Sequence, residues 1–141
     1  MHCSNTQICV GLNMTKSEYR KLYKEKRSNI SGCEKKRMDQ NICTNLQMLS
    51  WEAVNYVHVY LPIEKFNEPD ILPFVDYLRE CHKNIKLVIS KSNFESHAME
   101  NYIWEDDSVL QLNKWGILEP TQGELIHSNL IDIVLVPLLV V

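Results

Sequence analysis

A chain of 141 residues, 45% hydrophobic and 23% charged with four glycines and five prolines, is one domain's worth of core-forming sequence and neither a disordered nor a fibrous composition. A net charge of −3 argues against a uniformly basic nucleic-acid binder. Five cysteines without a C-x-x-C pair and five scattered histidines provide no disulfide framework, zinc cluster or other metal site.

Residues 1–13 show no periodicity, no basic stretch and no long apolar run. They read as a flexible leader, or as residues ahead of a start at Met14, and not as a signal peptide. Thr15-Lys16-Ser17-Glu18 is a capping box that opens a helix to about Ser28. Residues 14–39 hold nine Lys/Arg against four Asp/Glu, while the remainder holds six against fourteen. A basic helix on an acidic body marks either a solvated face or an anion site. Ser31 and Glu34 repeat the cap signal, and Met38, Ile42, Leu46, Leu49 and Ala53 form the apolar stripe of a second helix.

Tyr56 to Leu61, YVHVYL, predicts a strand stopped by Pro62. The IEKFNE loop follows. Pro69 is expected in the first turn of a third helix whose apolar face is Ile71, Leu72, Val75 and Leu78. Ile85 to Ser90, IKLVIS, predicts a second strand, so the order is strand, helix, strand, with a parallel pairing and a right-handed crossover. Residues 94–104 read as a short extra strand and 105–129 as loop-rich. Ile131 to Val141 predicts a central parallel strand buried on both faces. It is too short to span a bilayer and is interrupted by Asp132 and Pro137. In open parallel sheets ligands bind beyond the carboxyl ends of the strands, which draws attention to the loop after Leu61 and to whatever follows Val141.

Four stretches, in order, resemble the 5-formyltetrahydrofolate cyclo-ligase family. They are Lys16-x-x-x-Arg20 with Lys24 and Arg27; VYLPIEKFNEPD, with Ile71 where the family's E-x-[DN]-T loop has threonine; NKWGILEP from Asn113 to Pro120; and IDIVLVPLLVV. The resemblance covers residues 14–141. It implies a three-layer α/β/α domain with a mostly parallel central sheet, like ribose-isomerase and CoA-transferase folds, of which 14–141 is the N-terminal part. The family's glycine-rich loop, G-x-G-K-G-[FY]-Y-D, is not among these residues. On that reading the fold is incomplete at its C-terminus, and the chain carries no catalytic residue of its own.

The resemblance implies ATP- and Mg2+-dependent conversion of 5-formyltetrahydrofolate to 5,10-methenyltetrahydrofolate. The formyl oxygen attacks the γ-phosphate, the neighbouring anilino nitrogen closes the ring, and phosphate leaves. Such chemistry is mostly positioning and charge stabilisation. Lys16 and Arg20, one turn apart, are the expected ATP contacts; Lys21, Lys24 and Lys26 read as a solvated face. Leu61, Glu68, Trp115 and Met99 are the expected substrate contacts, with Glu64 the alternative to Glu68 in the loop register. For each a structural role competes: core packing for Leu61 and Met99, a hydrophobic anchor for Trp115, a helix-dipole acid for Glu68. Trp51 and Trp104 read as packing. The implied protein is a cytoplasmic monomer when full length, acting on a small molecule, with no membrane or nucleic-acid partner. By itself the 141-residue chain is expected to be inactive; the alternative is a non-catalytic fragment that binds folate weakly.

Overall fold

The computed structural model describes residues 14–93, 95–96 and 98–139; the leader of residues 1–13 lies outside them. Helix α1 spans Lys16–Ser28 and is opened by the expected capping box. Glu18 N–H donates to Thr15 Oγ1 at 3.3 Å, and Thr15 N–H donates back to Glu18 Oε2 at 2.7 Å. Thr15 N–H and the Thr15 hydroxyl, which also donates to Glu18 Oε2, hold the Glu18 carboxyl below its usual range, the backbone donor contributing most. None of the helix's 13 residues is buried. Helix α2, Gly32–Gln47, is capped by Ser31 and buries Cys43, with Ile42 and Leu46 packing beside it. Met38 and Leu49, expected on the same stripe, are exposed. The helix ends at Gln47, and Trp51 takes the next core position, its indole N–H donating to Leu46 O.

Strand β1 (Tyr56–His58), helix α3 (Leu72–Cys81) and strand β2 (Lys86–Asn93) form the expected βαβ unit, with β1 and β2 parallel. The proline in the first turn of α3 is Pro73, not Pro69. Pro69 stays in the loop before it, where its carbonyl accepts from the Tyr60 hydroxyl. Strand β3 (Ala98–Ile103) returns antiparallel to β2, and β6 (Leu125–Ile126) pairs antiparallel with β3. Only four residues separate Asn93 from Ala98, too few for the crossover that a parallel partner requires. Strand β7 (Ile133–Val134) pairs parallel with β1. The order β6-β3-β2-β1-β7 is thus a mixed sheet, half of whose pairings are parallel. Strands β4 (Leu110–Leu112) and β5 (Leu118–Pro120) make a separate hairpin.

Alternation along the strands separates the two faces. Val57, Val59, Leu87 and Ile89 meet Phe74, Val75 and Leu78 of α3 and Cys43 of α2 in one core. On the other face lie His58, Val88, Ser90, Asn101 and Ile103, of which Val88 and Ile103 are buried. Strand β7 is the last strand of this sheet, where a central one buried on both faces was expected. Ile133 and Leu135 reach the core while Val134 is 55% exposed. Its position is fixed by Asp132, whose carboxylate accepts from the N–H groups of Asn55 and Tyr56 at 2.8 and 2.9 Å. The two bonds lower its pKa, Tyr56's more.

A polar chain crosses this second face. His58 Nε2 meets Ser90 Oγ at 2.7 Å, Ser90 donates to Asn101 Oδ1, and Asn101 Nδ2 donates to Ser128 Oγ. Burial holds the His58 imidazole below its usual pKa of 6.5. As pH falls below that value the unfolded chain takes up the proton first, so stability present at neutral pH is lost progressively on acidification. Replacing His58 with Gln is expected to shrink the Tm difference between about pH 7.5 and about pH 5.5. An unchanged difference would show that His58 titrates alike in both states.

Candidate functional site

The parallel strands β1 and β7 end on the same edge of the sheet, and three ligand-sized hollows adjoin that edge. The first, about 790 Å³, lies between α1 and the segment after β7, lined by Lys16, Tyr19, Arg20, Tyr23, Pro137 and Leu138. The i, i+4 spacing turns both cations toward it. The reciprocal cap draws the Glu18 carboxylate back onto Thr15, away from a position between them. It also occupies the Glu18 N–H, so part of the helix's N-terminal donor set is already spent. Attraction for an anion rests here on the two side chains more than on the helix end.

A second hollow, about 400 Å³, shares Tyr23, Leu138 and Leu139 with the first and continues along α1 to Arg27, Met38 and Ile42. Its far wall is the turn after the short 3-10 segment Glu64–Phe66, where Asn67 adopts a left-handed conformation, φ 52°. Asn67 Nδ2 donates to Arg27 O at 2.8 Å and ties that turn to the end of α1.

The third hollow, about 370 Å³, is lined by Leu61, Ile63, Glu64, Leu72, Leu112 and Gly116. Here the loop after β1 meets the tip of the β4–β5 hairpin. The tip is bent by Gly116, at φ 76°, and by Asn113 Oδ1, which accepts from Trp115 N–H and Ile117 N–H. Trp115 stands 66% exposed beside it. Glu68 closes its own loop, accepting from Ile63 N–H at 2.9 Å. Its charge, after burial itself, contributes to raising the Tyr60 hydroxyl pKa.

The fold thus brings Lys16 with Arg20, and Leu61 with the loop carrying Trp115. Glu68 lines none of the three, one of its oxygens being held by Ile63 N–H, while Glu64 lines the Leu61 hollow. Met99 is on β3, paired with Ser92 and exposed, outside all three. Trp51 and Trp104 are packing residues, against Phe74 and under the Arg79 guanidinium. Sequence reasoning passed over Glu119. It is buried and accepts from Ser92 N–H at 2.9 Å, fastening the β4–β5 hairpin to β2. An acid between Leu118 and Pro120 within WGILEP was its available signal. Among the described residues no three His, Cys, Asp or Glu side chains gather to hold a metal ion, and no helix is long and apolar enough to cross a membrane.

A sheet whose parallel strands end in hollows of this size is the layout of α/β proteins that bind small molecules. The model of the 5-formyltetrahydrofolate cyclo-ligase family matches residues 13–141, and the chain belongs to that family. It is similar to the NMR structure of 5,10-methenyltetrahydrofolate synthetase from Aquifex aeolicus, with 29% identity and a TM-score of 0.71 over 86% of this chain and 59% of that one. It also shares its fold with a 5,10-methenyltetrahydrofolate synthetase from Mycoplasma pneumoniae, at 24% identity and a TM-score of 0.63, over 89% and 65% of the two chains. The chain therefore spans about six-tenths of the length of these structures. A comparison with curated proteins found no match.

Proposed function

We propose that these residues supply the ATP-contacting helix and much of the folate pocket of an enzyme that forms 5,10-methenyltetrahydrofolate from 5-formyltetrahydrofolate. One observation carries the reading: Lys16 and Arg20 line a single hollow with the residues that follow β7 at the carboxyl edge of the sheet. Two cations there suit the oxygens of a triphosphate. Magnesium would arrive with those phosphates, since the described residues assemble no cage for it. Leu61, Glu68 and Trp115 would form the folate side. Met99 would join them on the strength of the family resemblance alone. No glycine-rich phosphate cradle occurs among the 141 residues, so turnover is expected only in a protein that has one. The reading supports a cytoplasmic enzyme, monomeric in its full-length form. Its test is formation of the methenyl product, followed by absorbance, with ATP and magnesium supplied. A protein that contains this chain and the cradle, binds ATP, and makes no product would overturn it.

Glu68 separates two roles. A glutamine keeps an oxygen that can accept from Ile63 N–H but loses the charge offered to a pterin's amino and ring N–H groups. Glu68→Gln is expected to raise the folate KM about tenfold or more and spare that of ATP, a charged hydrogen bond being worth about 1.5–3 kcal/mol. If Glu64→Gln gives this phenotype and Glu68→Gln does not, the folate contact belongs to Glu64.

A further inference from the structure

Tyr19 and Tyr23 have no place in the core. Neither belongs to the buried cluster between the sheet and its helices, nor to the half-buried side chains packed against it, where Tyr60 and Tyr77 are found. Both are half-buried, and both line the hollow of about 790 Å³ beside Lys16 and Arg20. Their ring centroids are 6.5 Å apart and their planes within 28° of parallel. Lys26 stands over the Tyr23 ring at 4.7 Å. The segment after β7 supplies the rest of the lining, Pro137, Leu138 and Leu139, all apolar.

The helix explains the grouping. Lys16, Tyr19, Arg20 and Tyr23 stand at i, i+3, i+4 and i+7, within about 100° of one another around α1. One helix face therefore offers two cations and two aromatic rings. Tyr23 lies about 4.5 Å farther along the axis than Arg20, at 1.5 Å per residue. Of the four, it is the one that also lines the second hollow, with Ile30, Met38 and Ile42. Charge is thus concentrated at the start of the helix, and aromatic surface continues past it. A triphosphate answers the two cations but leaves the tyrosines and leucines without a partner, in a hollow with room for a larger molecule.

We infer that Tyr19 and Tyr23 form the wall on which the purine base of the nucleotide lies, between α1 and Leu138, with its phosphates running back to Lys16 and Arg20. Aromatic side chains stack on the faces of bases, and the fused rings of a purine cover more of such a wall than a pyrimidine does. The folate side, around Leu61 and the hairpin tip, borders a different hollow. The inference rests on the function proposed above, because the triphosphate at Lys16 and Arg20 is what brings a base within reach of the tyrosines.

The test measures binding to the intact protein by calorimetry, with magnesium present, for ATP, UTP, inorganic triphosphate and 5-formyltetrahydrofolate. Tyr23→Ala is expected to weaken ATP by about fivefold or more and triphosphate by less than about twofold, as for one base stacked on one aromatic side chain. Tyr19→Ala is expected to act in the same direction, and Tyr23→Phe to keep the native affinity. A preference for ATP over UTP is expected in the unsubstituted protein and should narrow in Tyr23→Ala. Since α1 buries none of its residues, these truncations open no cavity in the core. Equal losses for ATP and triphosphate would make the tyrosines a prop for the helix and overturn the inference. So would ATP affinity unchanged when both tyrosines are replaced with Ala, or a loss confined to 5-formyltetrahydrofolate, which would give the wall to the folate. Binding requires no turnover, so the two readings fail separately. Tyrosine-dependent ATP binding in a protein that forms no methenyl product keeps the wall and rejects the function; product formation with ATP affinity indifferent to both tyrosines keeps the function and rejects the wall.

Discussion

Replacing Lys16 and Arg20 together with Ala is expected to raise the ATP KM by two orders of magnitude or more in a catalytically competent protein that contains this chain. Each charged contact to phosphate is worth about 1.5–3 kcal/mol, or roughly 10- to 150-fold. Both side chains line the same hollow, so their losses should largely accumulate. The folate KM should stay within about threefold, because Leu61, Glu64 and the hairpin tip border a different hollow. Lys21→Ala is the control: Lys21 is exposed and does not line either hollow along α1. An ATP KM unchanged in the double variant would remove the nucleotide from this end of α1.

Phe74→Ala is expected to produce the largest loss of stability. Phe74 is fully buried, between Trp51 at 5.3 Å and Tyr77 at 6.1 Å between ring centroids. Truncating such a side chain costs about 3–5 kcal/mol, a large share of the roughly 5–15 kcal/mol that holds a typical domain folded. The effect reaches the site, since α3 connects the loop after β1 to β2 and Ile71 at its start is also in the core. The denaturation midpoint should fall steeply. A loss below about 1 kcal/mol would mean that the Trp51, Phe74 and Tyr77 cluster repacks around the gap.

Local chemistry was legible in the sequence. Thr15 and Glu18 fix the start of α1 because the box closes within four residues. YVHVYL and IKLVIS announce β1 and β2 because β-branched runs suit a sheet with a covered face. The facing of Lys16 and Arg20 follows from helical period alone. What met those side chains was not legible. Pro137 to Leu139 arrive there because β7 pairs with β1 about 76 positions away, a pairing held by Asp132 on the Asn55 and Tyr56 N–H groups. The bond from Asn67 to Arg27 O spans forty residues and depends on a left-handed turn that no apolar pattern reports. The stripe of the second helix misled at its end, Leu49 and Ala53, for the converse reason. Its period runs on past Gln47, but the chain turns there and Trp51 fills the space.

Helix α1 carries Lys16, Arg20 and Arg27 yet buries none of its residues. Little apolar area anchors it, so its docking is among the weaker attachments in the molecule, held by the Asn67 bond and by neighbours such as Phe66, which lies 5.9 Å beneath the Lys24 ammonium. A ligand that bridges α1 to the segment after β7 therefore does two jobs with one free energy: it satisfies the cations, and it immobilises the helix that bears them. Measured affinity is then the contact energy less the ordering cost. Substitutions at Asn67, which does not line the Lys16 and Arg20 hollow, are expected to weaken ligand binding there through the entropy of the helix.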